Sequence, residues 1–431
     1  MKRLLSLVVF FPFFAIGQSD TIESEIDTHA IHFEQGKTWQ QILEEAESEN
    51  KYIFVDYYAT WCVPCKQMDK NVYTKRDVGD FINYKFIAVK VQEDTSSQDN
   101  DGVRKWYETA HDMFKSYNVT ALPAYLFFSP DGKIVHRDFG GMDVKDFISL
   151  AHGAINPDSQ YYSLKEKYNH KMISYALMPY LALTARRLRE NEFAITVAQD
   201  YLQNYLYKFN EEALYTKEDI NLIATFIQST KERSFNMFYR NADKVDQIMW
   251  KGYAEYEVDY LITKEEIDPF LHVTKGNIPN WSKMATSIRR KYNADYSSRN
   301  ILNAKVNWYK NQRYWAEYTK YAILQAEKSK FDTTNFLSDV GLNNVVWDVI
   351  FLHSTKKEEM EKGLQWMKGI VRRHPDYVAS VDTYANLLYK LGKKKSAIVF
   401  EEKAVELNKN PNDKSFQETL DKMRNGQKTW D

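Results

Sequence analysis

The chain has 431 residues, 44% of them apolar and 15% aromatic, with only 15 Gly and 10 Pro. That excludes a fibrous or largely disordered protein and exceeds what one hydrophobic core serves, so a modular chain is expected. The formal net charge is -1, divided as 13 basic and 18 acidic side chains in residues 38–155 against 42 and 36 in residues 156–431, without a dense Lys/Arg stripe interleaved with aromatics, so nucleic-acid binding is set aside.

Residues 1–17 join a basic start at Lys2 and Arg3 to an apolar run from Leu4 to Phe14 and small residues at Ala15 and Gly17. This pattern predicts a secretory signal cut after Gly17 and an exported protein, in keeping with a bacterial periplasm. The run is shorter than the ~20 residues a membrane helix needs, and no other uncharged run of that length follows, so no membrane span is expected after its removal. Residues 18–37 are polar and acidic and read as a tether or an added first strand.

From Thr38 the pattern turns regular. Residues 38–50 read as an amphipathic helix, "KYIFVDYYA" as a buried strand, "CKQMDKNVYT" as a helix entered at the Cys pair and "FIAVKV" as a strand. After the loop "QEDTSSQDNDG" come a helix over 103–118, two strands, "AYLFFSP" and "KIVHRDFG", joined by a turn at Pro130, Asp131 and Gly132, and a closing helix over 143–155. A βαβ unit followed by a hairpin and a helix predicts an α/β domain over 38–155, a mixed sheet with helices on both faces.

The chain keeps only two cysteines, Cys62 and Cys65, two residues apart. A bridge across so small a loop restrains the unfolded chain little, so stabilisation is a poor reason for the pair. At the start of a helix, free backbone amides and the macrodipole favour a thiolate, which assigns Cys62 as the attacking thiol. Cys65, one turn in and expected to be more buried, then resolves the mixed disulfide by attacking the Cys62 sulfur. Pro64 fits an early helix position that needs no amide donor. Two cysteines make half a zinc site and no His pair sits at ligand spacing, so no metal is expected, and no organic cofactor is required because the electrons reside in the dithiol.

The segment "FVDYYATWCVPCKQM" and its surroundings resemble the thioredoxin superfamily over roughly residues 38–155. The resemblance implies that Trp61, directly before Cys62, shields the dithiol and offers a surface to peptide, against the alternative of a core aromatic. It implies that Asp56 is a buried carboxylate relaying a proton to or from Cys65, against a strand-end Asp facing water. Lys90 falls on the family's Lys near that carboxylate, or is a solvated strand-end Lys. Pro123 falls on the family's cis-proline, or opens a strand in trans, and Leu122 before it would pair its main chain with an extended substrate. Gly140 and Gly141 match a family Gly that approaches the site, or form a simple turn. Val63 replaces the common Gly and Tyr58 a frequent Trp, and the stretch "WCVPCKQMDKNVYT" is similar to the reductive, exported branch of the family.

Beyond residue 155 the strand signals fade and an all-α region follows. Residues 156–343 read as a helical domain of undetermined type, with only helical hairpins legible over 157–300. Residues 344–377 and 378–411 align at a period of 34, with a degenerate third copy involving Ala304 and Ala316, and are followed by a C-terminal helix or tail, 412–431. Trp347, Gly363, Pro375, Ala385, Gly392, Ala397 and Ala404 resemble tetratricopeptide repeats at those positions, so a protein partner is expected there.

The reading is an extracytoplasmic disulfide reductase with disulfide-bearing protein substrates and a separate electron donor. Two alternatives stand beside it: an oxidase or isomerase, and a repeat-based binding scaffold in which the first domain is an adaptor and Cys62 is dispensable.

Overall fold

The computed structural model describes residues 29–273, 276–329, 331–332 and 334–430, so the expected signal and the first part of the 18–37 extension lie outside the described residues. The described residues form two compact units, divided between Leu214 and Tyr215.

In the first unit, helix α1 (Trp39–Glu49) starts at Thr38, whose hydroxyl accepts from the Gln41 amide while the Gln41 side chain accepts from the Thr38 amide. Such a reciprocal cap is worth about 1 kcal/mol. Ile42 and Ala46, one turn apart, are fully buried, and the helix ends at Asn50 with φ 50°. Strand β1 (Tyr52–Tyr58) leads to α2 (Val63–Asn71), α3 (Arg76–Lys85), β2 (Phe86–Gln92), α4 (Asp101–Arg104), α5 (Tyr107–Ser116), β3 (Ala124–Phe128), β4 (Ile134–Phe139) and α6 (Val144–Ala154). The strand order is β2-β1-β3-β4, with β1 parallel to β2 and antiparallel to β3, and β3 antiparallel to β4.

Side chains along β1 alternate between two cores, which is why its unbroken apolar run is buried on both faces. Ile53, Val55 and Tyr57 pack with Ile42, Ala46, Ala110 and Met113 of α1 and α5. Phe54 packs with Met68, Val78, Ile82 and Phe147 of α2, α3 and α6. Parity therefore turns Asp56 toward the second core.

Two elements differ from the sequence expectation. Helix α3 was not anticipated; its buried stripe is only Val78, Gly79 and Ile82, and a Cβ on Gly79 would lie 1.8 Å from the His29 carbonyl oxygen, so chain packed across the helix demands the glycine. The helix expected over 103–118 is broken between α4 and α5. The extension reaches the sheet edge through one parallel bridge, Phe33 to Ala88, with the Ile31 amide donating to the Tyr73 carbonyl at 2.9 Å.

Past α6, no strand occurs among the described residues, and no helix among them is long and apolar enough to cross a membrane. Helices Tyr161–Asn169, Met178–Arg187 and Asn191–Asn204 belong to the first unit, where the Tyr161 amide donates to His136 Nδ1 at 2.9 Å and Arg137 pairs with Glu190 at 2.7 Å. In the second unit, helices Val378–Lys390 and Lys394–Leu407 turn back on each other at Gly392, φ 79°. Ala385, Ala397 and Ala404 are fully buried there. Gly363 lies where a Cβ would be 3.1 Å from Ile350, so the neighbouring helix passes close.

Candidate active site

Strand β1 ends at Tyr58, and after three intervening residues the chain enters α2 with Cys62 as its N-cap. The Cys62 sulfur accepts from the Cys65 amide at 3.2 Å, which aims the free end of the helix at that sulfur. Cys62 and Cys65 are joined in a disulfide with Cα atoms 5.3 Å apart. Pro64 occupies the first turn, where a missing donor costs nothing.

The expected difference in burial is absent: Cys62 is 2% and Cys65 3% exposed. Bonding draws the Cys62 sulfur onto the first helical turn, where Ala59, Tyr58 and Leu122 pack against the pair. The surrounding rim is open, with Trp61 66% and Val63 62% exposed, which rules out the core-aromatic reading of Trp61.

The Leu122–Pro123 peptide is cis. Gly140, φ 94°, donates its amide to the Pro123 carbonyl at 2.8 Å, and a Cβ on Gly141 would lie 3.6 Å from the Pro64 Cβ. The two glycines thus carry the chain after β4 against the dithiol helix. Among the described residues the main-chain amide and carbonyl of Leu122 make no hydrogen bond, although its side chain packs on the disulfide.

Asp56 is 1% exposed, so the solvent-facing reading fails. The strand register sets Lys90 on one side of it and Tyr125 on the other. Lys90 Nζ lies 3.6 Å from Asp56 Oδ2, is also hydrogen-bonded to Asp69, and stands 4.9 Å from the centre of the Tyr58 ring. The Tyr73 hydroxyl donates to Asp56 Oδ1 at 3.0 Å. Burial pushes the Asp56 carboxyl up to about 6, an effect that Lys90 and Tyr73 partly offset while Asp69 adds to it.

Tyr73 and Asp69 were not anticipated, although for Asp69 the signal was present: it follows Cys65 by four residues and therefore shares its helical face. A second group also escaped sequence reasoning. Asp94, in the loop after β2, accepts from the Thr60 amide at 2.9 Å and from the Thr60 hydroxyl, fixing the residue before Trp61. Gln92 braces that loop by donating to the Asp94 carbonyl and to Asp99, both at 2.9 Å, while it accepts from the Tyr58 hydroxyl at 3.1 Å. The Tyr107 hydroxyl donates to Asp99 at 2.6 Å and holds that carboxyl below its ordinary range.

Residues 39–154 match the family described as thioredoxin-like domain. The thiol:disulfide interchange protein DsbD of Actinobacillus pleuropneumoniae is 25% identical over 161 residues, which are 35% of this chain and 26% of that protein. The chain therefore spans about a quarter of the length of that relative. Thioredoxin H2 of Arabidopsis thaliana is 27% identical over 118 residues, 27% of this chain and 74% of that protein. A solved thioredoxin from Thermus thermophilus aligns at 18% identity and a TM-score of 0.24, over 29% of this chain and 88% of that one. Residues 39–154 of this chain form a thioredoxin-like domain with the Cys62–Cys65 pair at the start of its second helix, and an all-helical region follows.

Proposed function

We propose that the chain is an extracytoplasmic thiol-disulfide oxidoreductase that reduces disulfides in protein substrates. The observation that carries this reading is the joined Cys62–Cys65 pair at a helix start, beneath an exposed Trp61–Val63 rim and beside the unpaired main chain of Leu122. Similarity to proteins named for thiol:disulfide interchange supports the chemistry, and the apolar leader in residues 1–17 supports export to the periplasm.

The reduced pair acts in two steps. Cys62, as thiolate, attacks one sulfur of the substrate disulfide, forming a mixed disulfide and releasing the first substrate thiolate. Cys65 then gives its proton to Asp56 through water, and its sulfur attacks Cys62, forming the Cys62–Cys65 bond and breaking the bond to substrate. The second substrate thiolate leaves and takes up a proton. Two electrons have passed from the pair to the substrate, so a separate oxidoreductase must return them. Leu122 holds the extended substrate by main-chain pairing, Trp61 gives it a surface, and Pro123 sets the turn that presents Leu122. Lys90 favours the ionised form of Asp56. The helical region, with its repeat-like 344–411 stretch, recruits a protein partner.

Asp56→Asn tests the proton acceptor. Releasing the second thiol from a mixed disulfide is expected to slow roughly tenfold at pH 7, and the rate should lose its rise near pH 6. Stability should move the other way. Between 3.8 and about 6 the folded protein holds a proton that the unfolded chain releases, so the ionised carboxylate costs stability above pH 6. Removing that cost should raise stability at pH 7 by about 2 kcal/mol, read by denaturant unfolding. A variant no slower than the parent at pH 7 contradicts the role of Asp56.

A further inference from the structure

Asp56 is the pivot of the proposed resolving step, and its environment contains a donor that the chemistry so far leaves unused. The groups facing it are Lys90 from β2, Asp69 from α2, Tyr125 from β3, Tyr58 from its own strand, and Tyr73 from the turn after α2. Lys90 is shared with Asp69, and at 3.6 Å it contributes charge to Asp56 more than a hydrogen bond. Tyr125 spends its hydroxyl on the Gly140 carbonyl at 3.0 Å. The Tyr73 hydroxyl alone is within hydrogen-bonding distance as a donor to Asp56 among the described side chains, at 3.0 Å.

Tyr73 is also held so that this hydroxyl has little freedom. The residue is 3% exposed, and its ring is edged by Phe33 at 5.6 Å, Phe147 at 5.4 Å and Phe54 at 6.3 Å between centroids. Its carbonyl accepts from the Ile31 amide at 2.9 Å, so residues 31–33 ahead of the domain help to clamp it. A tyrosine in an aromatic cage with its one polar atom on a buried carboxylate is more than packing, because phenylalanine would fill the same space.

We propose that Tyr73 is a positioning residue for the resolving step: its hydroxyl holds the Asp56 carboxylate in place and keeps it in the acceptor form that takes the Cys65 proton. This rests on the oxidoreductase reading above. When the proton arrives, the charge-assisted bond from Tyr73 weakens to an ordinary one, so the hydroxyl favours ionised Asp56 over neutral. Cys65 loses the proton, its sulfur bonds to Cys62, and the substrate sulfur leaves with the electron pair of the broken bond. Tyr73 exchanges no atoms or electrons.

The test is Tyr73→Phe in the full chain, fully reduced and mixed with Ellman's reagent. Attack by Cys62 releases one chromophoric thiolate, and resolution by Cys65 releases a second in a phase independent of reagent concentration. The acid limb of that second phase is expected to move up by about one pH unit, with the plateau rate recovered at high pH, since a hydrogen bond to a charged group shifts a carboxyl by about that much. A folded Tyr73→Phe protein whose acid limb stays in place overturns the proposal. If the limb vanishes in Asp56→Asn and is unmoved in Tyr73→Phe, only the Tyr73 assignment falls; if both variants keep the parental limb, the role of Asp56 falls with it. Should Tyr73→Phe not fold, carbon-13 titration of the parent protein decides. The Asp56 carboxyl and the Tyr73 ring carbon bearing oxygen are expected to shift at one shared pH, and a Tyr73 signal that ignores the Asp56 titration overturns the proposal.

Discussion

Replacing Cys65 with serine is expected to leave the protein joined to its substrate. Cys62 keeps the helix-start amide environment that favours its thiolate, with the residue 65 amide 3.2 Å from its sulfur, so attack on a substrate disulfide proceeds. Serine in place of the second thiol cannot form the new S–S bond, and the mixed disulfide persists. Turnover of a peptide disulfide should fall by ~10³-fold or more, and mass spectrometry without reductant should find one substrate chain per protein. Cys62→Ser should lose as much activity and retain no adduct. A Cys65→Ser protein that still turns over, or a Cys62→Ser protein that still accumulates adduct, contradicts the assigned order of attack. The adaptor alternative expects neither variant to matter.

The largest stability effect is expected in the second unit, at Glu401. This side chain is fully buried between the two helices that meet at Gly392, and among the described residues no donor reaches either of its carboxyl oxygens. Asp382 faces it and accepts from the Asn386 side chain at 2.8 Å. One proton on Glu401 is what can join the two acids. Burial, then the Asp382 charge, push Glu401 up to about 9, and burial raises Asp382 to about 6.

The linkage follows from those directions. Unfolded Glu401 ionises near 4.5 and the folded residue near 9, so between these values the folded state holds a proton that the unfolded state lacks. Stability of the helical unit should therefore fall as pH rises through that window. Glu401→Gln keeps the volume and can donate to Asp382 at every pH. It is expected to stabilise the unit by about 3 kcal/mol at pH 8.5 and by little near pH 4.5, after relaxation reduces the ideal linkage value. Thermal unfolding at the two pH values checks this. Equal stability of parent and variant at pH 8.5 contradicts the shared proton.

The sequence made the dithiol end of the fold legible because its signals are local. An unbroken apolar run demands a strand buried on both faces, as β1 is, and a Cys pair with Pro64 marks a helix start. Asp56 and Pro123 needed the family resemblance, since periodicity cannot say which side of a strand is covered. Helix α3 was hidden because a three-residue stripe with a central Gly79 gives weak periodicity; the glycine answers chain packed across it, which is tertiary information. Tyr73 and the Asp94–Thr60 clamp were hidden for the same reason, being contacts between segments 17 and 34 residues apart. Glu401 could have been read: Ala397 and Ala404 define a buried stripe, and Glu401, four residues after one and three before the other, lies on it.

The most direct test of the account is the equilibrium of the Cys62–Cys65 pair in the full chain against a graded dithiothreitol or glutathione redox series, followed by thiol labelling. A reductase should cycle fully between dithiol and disulfide with a potential near about -270 mV. A value near about -120 mV would mark an oxidant and contradict the reductive direction, and a pair that does not cycle would contradict the enzyme itself.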